Sequence, residues 1–284
     1  MRGKIAISSY QSATGRTTIA CGLFNVIHNS DLSARLFGYD MEKQDLFTSG
    51  LLGSAIAEPV FSMVPSLDST RCNFCGNCLR FCSRFAIQFD RLKPKISLLP
   101  DRCHSCGDCM KGCSHDGIIQ HREQIGSLYH SPDGRVCAGE ATTGARFILP
   151  LFIELNKQKK NDELIICDIP PGDSGFVSTS LMNVSLAMLV VVPSSEWEKQ
   201  TIYMLDYLKS MKMDCVVLVN RAEKGSDFFK VVAEFCFSNH IPLIGEIPLF
   251  ESKESVCPKL DIQAIEIFNK IWAEIESFFY CKGN

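Results

Sequence analysis

Two short runs constrain this chain more than anything else in it. CNFCGNCLRFC starts at Cys72 and CHSCGDCMKGC at Cys103, and both follow the spacing Cys-x2-Cys-x2-Cys-x3-Cys, with twenty residues between them. Three thiols two residues apart lie on a loop tight enough to wrap one face of an iron–sulfur cube. A fourth thiol, three residues further on, points to a neighbouring cube. That logic assigns Cys72, Cys75, Cys78 and Cys113 to one [4Fe–4S] cluster, and Cys103, Cys106, Cys109 and Cys82 to a second. Gly76 and Gly107 fall at matched places where a missing side chain eases close approach. The competing reading is structural zinc held by four thiolates. Three cysteines at two-residue gaps crowd one tetrahedral ion, however, and chance does not readily repeat a four-cysteine unit at one spacing.

The compartment bears on that choice. The 284 residues include fifteen cysteines; the start, MRGKIAISSY, shows no long apolar segment with a small-residue cleavage site. The longest apolar run, LAMLVVVP from Leu186, is far shorter than a bilayer span. The expectation is a cytoplasmic protein without a membrane span, in a reducing compartment where cysteines bind metal rather than pair. The scattered Cys21, Cys137, Cys167, Cys215, Cys236, Cys257 and Cys281 read mostly as small buried hydrophobes. A net charge of −3, with no basic stripe, gives no footing for nucleic acid.

Around the cysteine block the chain alternates strand and helix. GKIAIS, ARLFGYD (as far as Asp40), ELIICD, LAMLVVV, DCVVLVN (as far as Asn220) and IPLIGEIP read as strands. TTIACGLFNVIHN, SEWEKQTIYMLDYLKSM and SDFFKVVAEFCFSN read as helices. AEPVFSMVPSLDS, with two prolines and no clear period, reads as a connector. The amphipathic IQAIEIFNKIWAEIESFFY reads as a helix packed on the sheet; its acidic polar face argues against a membrane-surface role. The expected architecture is α/β, a mostly parallel sheet with helices on both faces, interrupted by a small α+β domain. Its expected divisions are 1–64, 65–125 and 126–284, the middle one carrying the clusters.

The cysteine block resembles a bacterial-type two-cluster ferredoxin, with AIQF and GIIQH at the places of its strands; Ser83 and Ser114 stand where proline usually follows the fourth cysteine. Given that block, the whole chain resembles the MinD/ParA-type P-loop ATPases carrying an inserted ferredoxin domain. The resemblance rests on QSATGRTT from Gln11, GEATTG from Gly139, CDIPPGDSG and VVLVNR. It implies a P-loop NTPase-like fold and ATP or ADP bound with magnesium. In its phosphate loop Gly15 lets the backbone curl, Thr17 ligates magnesium and Thr18 contacts the innermost phosphate. Arg16 takes the place of the family's loop lysine, and Gln11 that of the signature lysine that reaches a partner's nucleotide. Ser12 and Ala13 replace two glycines. Gly38 replaces the aspartate tied to water activation, and Asp40 survives as the second aspartate of that stretch. Asp168 fits the magnesium-side carboxylate, Gly172 the turn that senses the terminal phosphate, and Asn220 the adenine-reading asparagine. Arg16, Asp40 and Asp168 would thus carry the catalytic charge.

Phosphoryl transfer needs positioned cations and an oriented water, and a planar guanidinium does not substitute simply for an ammonium. Nucleotide binding is therefore expected and unaided hydrolysis is not. Functionally, the expectation is electron relay through two clusters to a protein partner under nucleotide control, in a homodimer or a heterodimer with a paralogue. The alternatives are a cluster carrier or assembly ATPase serving a cluster-accepting partner, and a non-hydrolysing partner subunit of an intact paralogue.

Overall fold

The computed structural model describes residues 3–30, 32–41, 45–90, 92–159, 163–223, 225–249 and 262–282. Its elements run β1 (Gly3–Ser8), α1 (Arg16–His28), β2 (Ala34–Gly38), the one-turn α2 (Asp45–Thr48) and β3 (Ile56–Leu67). The cysteine-bearing segment contributes α3 (Asn77–Phe81), β4 (Ile87–Asp90), β5 (Lys95–Leu98) and α4 (Asp108–Lys111). Then come β6 (Ile118–His130), β7 (Val136–Ala141), α5 (Leu149–Lys157), β8 (Leu164–Asp168), α6 (Gly175–Ser180), β9 (Leu186–Val191), α7 (Trp197–Ser210), β10 (Asp214–Asn220), α8 (Asp227–Ser238), β11 (Leu243–Ile247) and α9 (Ile262–Lys282).

Among the described residues nine strands form one sheet, in the order β11-β10-β9-β1-β8-β2-β7-β6-β3. The pairs from β11 across to β7 are parallel, whereas β7–β6 and β6–β3 are antiparallel. Strands covered on both faces should read as unbroken apolar runs, and β8 and β9 are buried at every residue. Side chains then alternate between two layers. Ile5 and Ile7 of β1 join the core under α1 and α9, while Ala6 faces the core under α5 and α6. α9 packs as the sequence implies, burying Phe268, Ile271, Trp272 and Ile275. Of the scattered cysteines, Cys21, Cys137, Cys167 and Cys236 are buried and Cys215 partly so. Cys257 and the side chain of Cys281 lie outside the described residues.

The expected connector is instead a twelve-residue strand, β3, paired with β6 from Ile56–His130 to Leu67–Ile118. Its prolines misled the reading, because β3 is an edge strand. Pro59 and Pro65 can sit there with their missing donors turned away from the ladder. The strand read as ending at Asp40 stops at Gly38, two residues earlier. AIQF enters β4, which pairs with β5 in a separate hairpin, and GIIQH opens the long β6. The β3–β6 ribbon runs through residues 64/65 and 125/126, and only the short stretches 68–71 and 114–117 lead from it to the cysteines.

Gly22 in α1 is set by the α9 contact: a Cβ there would lie 2.2 Å from the Phe268 ring. Alanine for glycine inside a helix ordinarily gains up to about 1 kcal/mol, but overpacking a core costs about 1–3 kcal/mol. Gly22→Ala should therefore lower the Tm, and adding Phe268→Leu should recover most of the loss. A Tm raised by the single change would refute this packing.

Candidate cluster ligands and nucleotide site

The backbone of the cysteine-bearing segment repeats at an offset of thirty-one residues. Phe74 and Ser105 both have positive φ (58° and 59°), as do Gly76 and Gly107 (76° and 82°) and Phe85 and Asp116 (52° and 50°). Gly76 and Gly107 cap α3 and α4 in the left-handed conformation, where glycine avoids the Cβ penalty. Each fourth cysteine occupies the matching turn. Cys82 Sγ accepts from the Ala86 N–H at 3.2 Å, and Cys113 Sγ from the Gly117 N–H at 3.2 Å. The serine at the second proline place has its own role: Ser114 Oγ lies 2.9 Å from His115 Nδ1, and His115 Nε2 lies 2.7 Å from Asn73 Nδ2. This ties the first motif to the turn after the second.

The thiols fall into two crossed groups. Cys82, Cys103, Cys106 and Cys109 line one cavity together with Ala86, Ile87, Gln120 and Pro65. Burial pushes the Cys109 thiol up to about 11, reinforced by neighbouring Cys103, Cys82 and Cys106. Burial likewise raises Cys78, whose further neighbours are Cys113, Cys72 and Cys75. Cys113 is held below its ordinary value: burial opposes this, but the N–H groups of His115, Ile118 and Gly117 outweigh it. Four thiols around one cavity suit a cube, whose ligands bond separate irons.

The nucleotide-site residues gather at the carboxyl ends of β1 and β8, where an open parallel sheet places ligands. Thr17 Oγ1 donates to Asp168 Oδ2 at 2.6 Å. Gly15 has φ 88°, and a Cβ on it would lie 2.4 Å from Asn220 Nδ2. That amide donates instead to the Thr14 carbonyl at 2.7 Å, so Asn220 braces the loop. Ala13 also sits at positive φ, 59°, which costs a non-glycine residue about 1–2 kcal/mol. The loop thus keeps its curl without the family's glycine there. The buried Thr14 Oγ1 has no hydrogen-bond partner, which suits a polar guest. Thr18 is half-buried on the first turn of α1, and Gln11 lines a small cavity with Thr14, Trp197 and Thr201. The Gly172 N–H donates to the Ser9 carbonyl at 3.0 Å.

Arg16 departs most from the expected layout. Its side chain is buried beneath the loop, Nη1 donating to the Ile169 carbonyl and Nη2 lying 3.7 Å from Asp40 Oδ2. The cation at the lysine place is engaged by the protein itself. Gly38 likewise has little room for the family's aspartate, since a Cβ there would lie 2.7 Å from Leu46 Cδ2. The residues on the magnesium side fit a nucleotide; the catalytic charges do not. Sequence reasoning did not find the Ile169 carbonyl, the Asn73–His115–Ser114 link or the contact of Gly175 with Asp101, because each joins residues distant in sequence.

The chain has the fold of the MinD/ParA-type P-loop ATPases. The cell division ATPase MinD of Pyrococcus furiosus is 17% identical with TM-score 0.57, covering 98% of this chain and 100% of that one. The septum site-determining protein MinD of Pyrococcus horikoshii, complexed with Mg-ADP, is 15% identical with TM-score 0.57, covering 98% and 97%. Aquifex aeolicus MinD, from its complex with MinC, is 15% identical with TM-score 0.52, covering 97% and 96%. Into that fold the chain sets an iron–sulfur segment: residues 71–116 match the family described as 4Fe-4S dicluster domain. A search of curated protein sequences found no match.

Two substitutions test the geometry. A Cβ on Gly117 would lie 2.9 Å from the Cys72 Cα, so Gly117→Ala should cost about half the bound iron and leave the Cys103 group loaded; full iron content would contradict it. Arg16→Ala removes one partner of a buried pair, worth about 3–5 kcal/mol, and should lower the Tm markedly. An unchanged Tm would show that the Asp40 and Ile169 contacts carry no stability.

Proposed function

We propose that this chain relays electrons through two [4Fe–4S] clusters to a protein partner, under control of a nucleotide held by its MinD-like body. The observation that carries the reading is the crossed grouping of eight thiols, four of them lining one cavity. A permanent relay needs ligands that stay closed around their clusters. No Cys-x-x-Cys pair stands outside the insert, which disfavours a cargo cluster bridged between subunits. Bound clusters would supply one-electron chemistry at potentials set partly by hydrogen bonds to sulfur. The Ala86 and Gly117 amides are this chain's own contribution to that tuning. Cys72, Cys75, Cys78 and Cys113 would hold the first cluster, and Cys82, Cys103, Cys106 and Cys109 the second.

For the nucleotide, Thr17 and Asp168 would hold magnesium, and the loop from Gln11 to Thr18 would hold phosphates at the N-terminus of α1. A relative of this fold is described with Mg-ADP and another in complex with a partner protein, in keeping with ADP binding and protein partnership here. The buried engagement of Arg16 favours the reading in which this subunit binds nucleotide without cleaving it, in a homodimer or beside an intact paralogue. Its ATP turnover should stay at background while calorimetry detects ADP; steady turnover by the wild type would refute that part. For the relay, anaerobic reduction should be reversible, with iron that chelators and apo-acceptor proteins cannot remove. Transfer of iron to an acceptor would favour a carrier instead.

A further inference from the structure

We propose that Gly175 is the positioning residue through which an occupied phosphate loop acts on the second cluster, that of Cys103, and not on the first. This rests on the reading above, in which the body holds a nucleotide.

The segment from Asp168 to Gly175 is fixed to the phosphate loop at several points. The Ile169 N–H donates to the Ile7 carbonyl at 3.4 Å, the Ile169 carbonyl accepts from Arg16, and the Gly172 N–H donates to the Ser9 carbonyl at 3.0 Å. Asp173 Oδ2 accepts from Tyr203 Oη at 2.5 Å, and the Tyr203 ring meets that of Tyr10 edge-on at 5.5 Å. A displacement of the loop between Ser9 and Thr17 therefore acts on Gly172 and Asp173 from two sides.

Three residues after Gly172, the segment meets the insert. Gly175 opens α6 beneath the carbonyl of Asp101, and a Cβ on it would lie 2.3 Å from that oxygen. Backbone meets backbone there, with no side chain between to absorb a movement. Asp101 stands two residues before Cys103. Cys103 and Leu98 pack against the core containing Ile169 and Val177, so Cys103 is the cluster thiol that rests on the body. Cys82 and Cys109 of that group pack in the insert's own small core, as do Cys72, Cys78 and Cys113 of the first. Gly175 has no positive φ, so alanine there is conformationally ordinary and reports the contact alone.

Coupled packing of this kind moves between discrete arrangements; spatial adjacency alone does not establish it, and potentials can. The test is an anaerobic EPR-monitored redox titration of the cluster-loaded full chain, without nucleotide and with saturating Mg-ADP or Mg-ATP, binding being measured separately by calorimetry. Cys75→Ser and Cys106→Ser assign the two signals. Nucleotide should shift the midpoint potential of the Cys103 cluster and leave the Cys72 cluster in place. Gly175→Ala should keep nucleotide affinity and lose the shift; should the 2.3 Å clash with Asp101 also cost it the Cys103 cluster, the wild-type titration decides alone. Binding with neither potential moved, with both moved alike, or with the shift retained in Gly175→Ala overturns the proposal while sparing the nucleotide-holding reading. Absence of binding by the wild type overturns both. If Gly175→Ala does not fold, the wild-type titration decides alone: a shift confined to the Cys103 cluster supports the proposal.

Discussion

The crossing of the fourth cysteines is the constraint on which the rest of the molecule depends. Each Cys-x2-Cys-x2-Cys loop is local and forms from its own turn chemistry, with a left-handed glycine closing it onto a short helix. The remaining thiol of each group comes from the other motif, thirty-one residues away. Neither half is complete alone, so the two must be brought together by something larger. The β3–β6 ribbon does this: its twelve paired positions end where the insert begins and ends. The ribbon in turn requires the sheet edge beyond β7, which the two prolines of β3 tolerate because, among the described residues, the strand has no neighbour on its far side. A cluster-binding unit that could have hung on a linker is built into the edge of a parallel sheet.

The body has kept the scaffold of a phosphate site and redirected its charge. The turn at Gly15, the Thr17–Asp168 contact and the Gly172–Ser9 link hold the loop in shape. The cation that would meet a phosphate lies underneath, against Asp40 and the Ile169 carbonyl. A guanidinium presents several donors in a plane and can bridge two strand ends in a way an ammonium cannot. Leu46 fills the space in which an aspartate at Gly38 would stand. Such a site agrees with the proposed role of binding nucleotide without cleaving it.

Much of this was legible in the sequence, and for physical reasons. The two sets of close thiols were readable because the Cys-x2-Cys-x2-Cys-x3-Cys spacing is local to each loop. The parallel strands were readable because burial on both faces demands apolar runs, as in LIICD and LAMLVV. β3 was not, since its prolines and its mostly exposed residues, which show no alternation, hide a strand that lies at an edge. Asn220 could be placed at the end of β10, but its bond to the Thr14 carbonyl could not, because it depends on how two strand ends approach. The inward turn of Arg16 was hidden for the same reason: sequence names the charge and only the fold supplies its partners.

Mössbauer spectroscopy on protein grown with enriched iron and isolated without oxygen counts the irons and types their environment together. About eight irons per chain are expected, all in the delocalised environment of cubes with four thiolate ligands. Colourless protein carrying zinc, or iron in a single cube or in two-iron clusters, would contradict this.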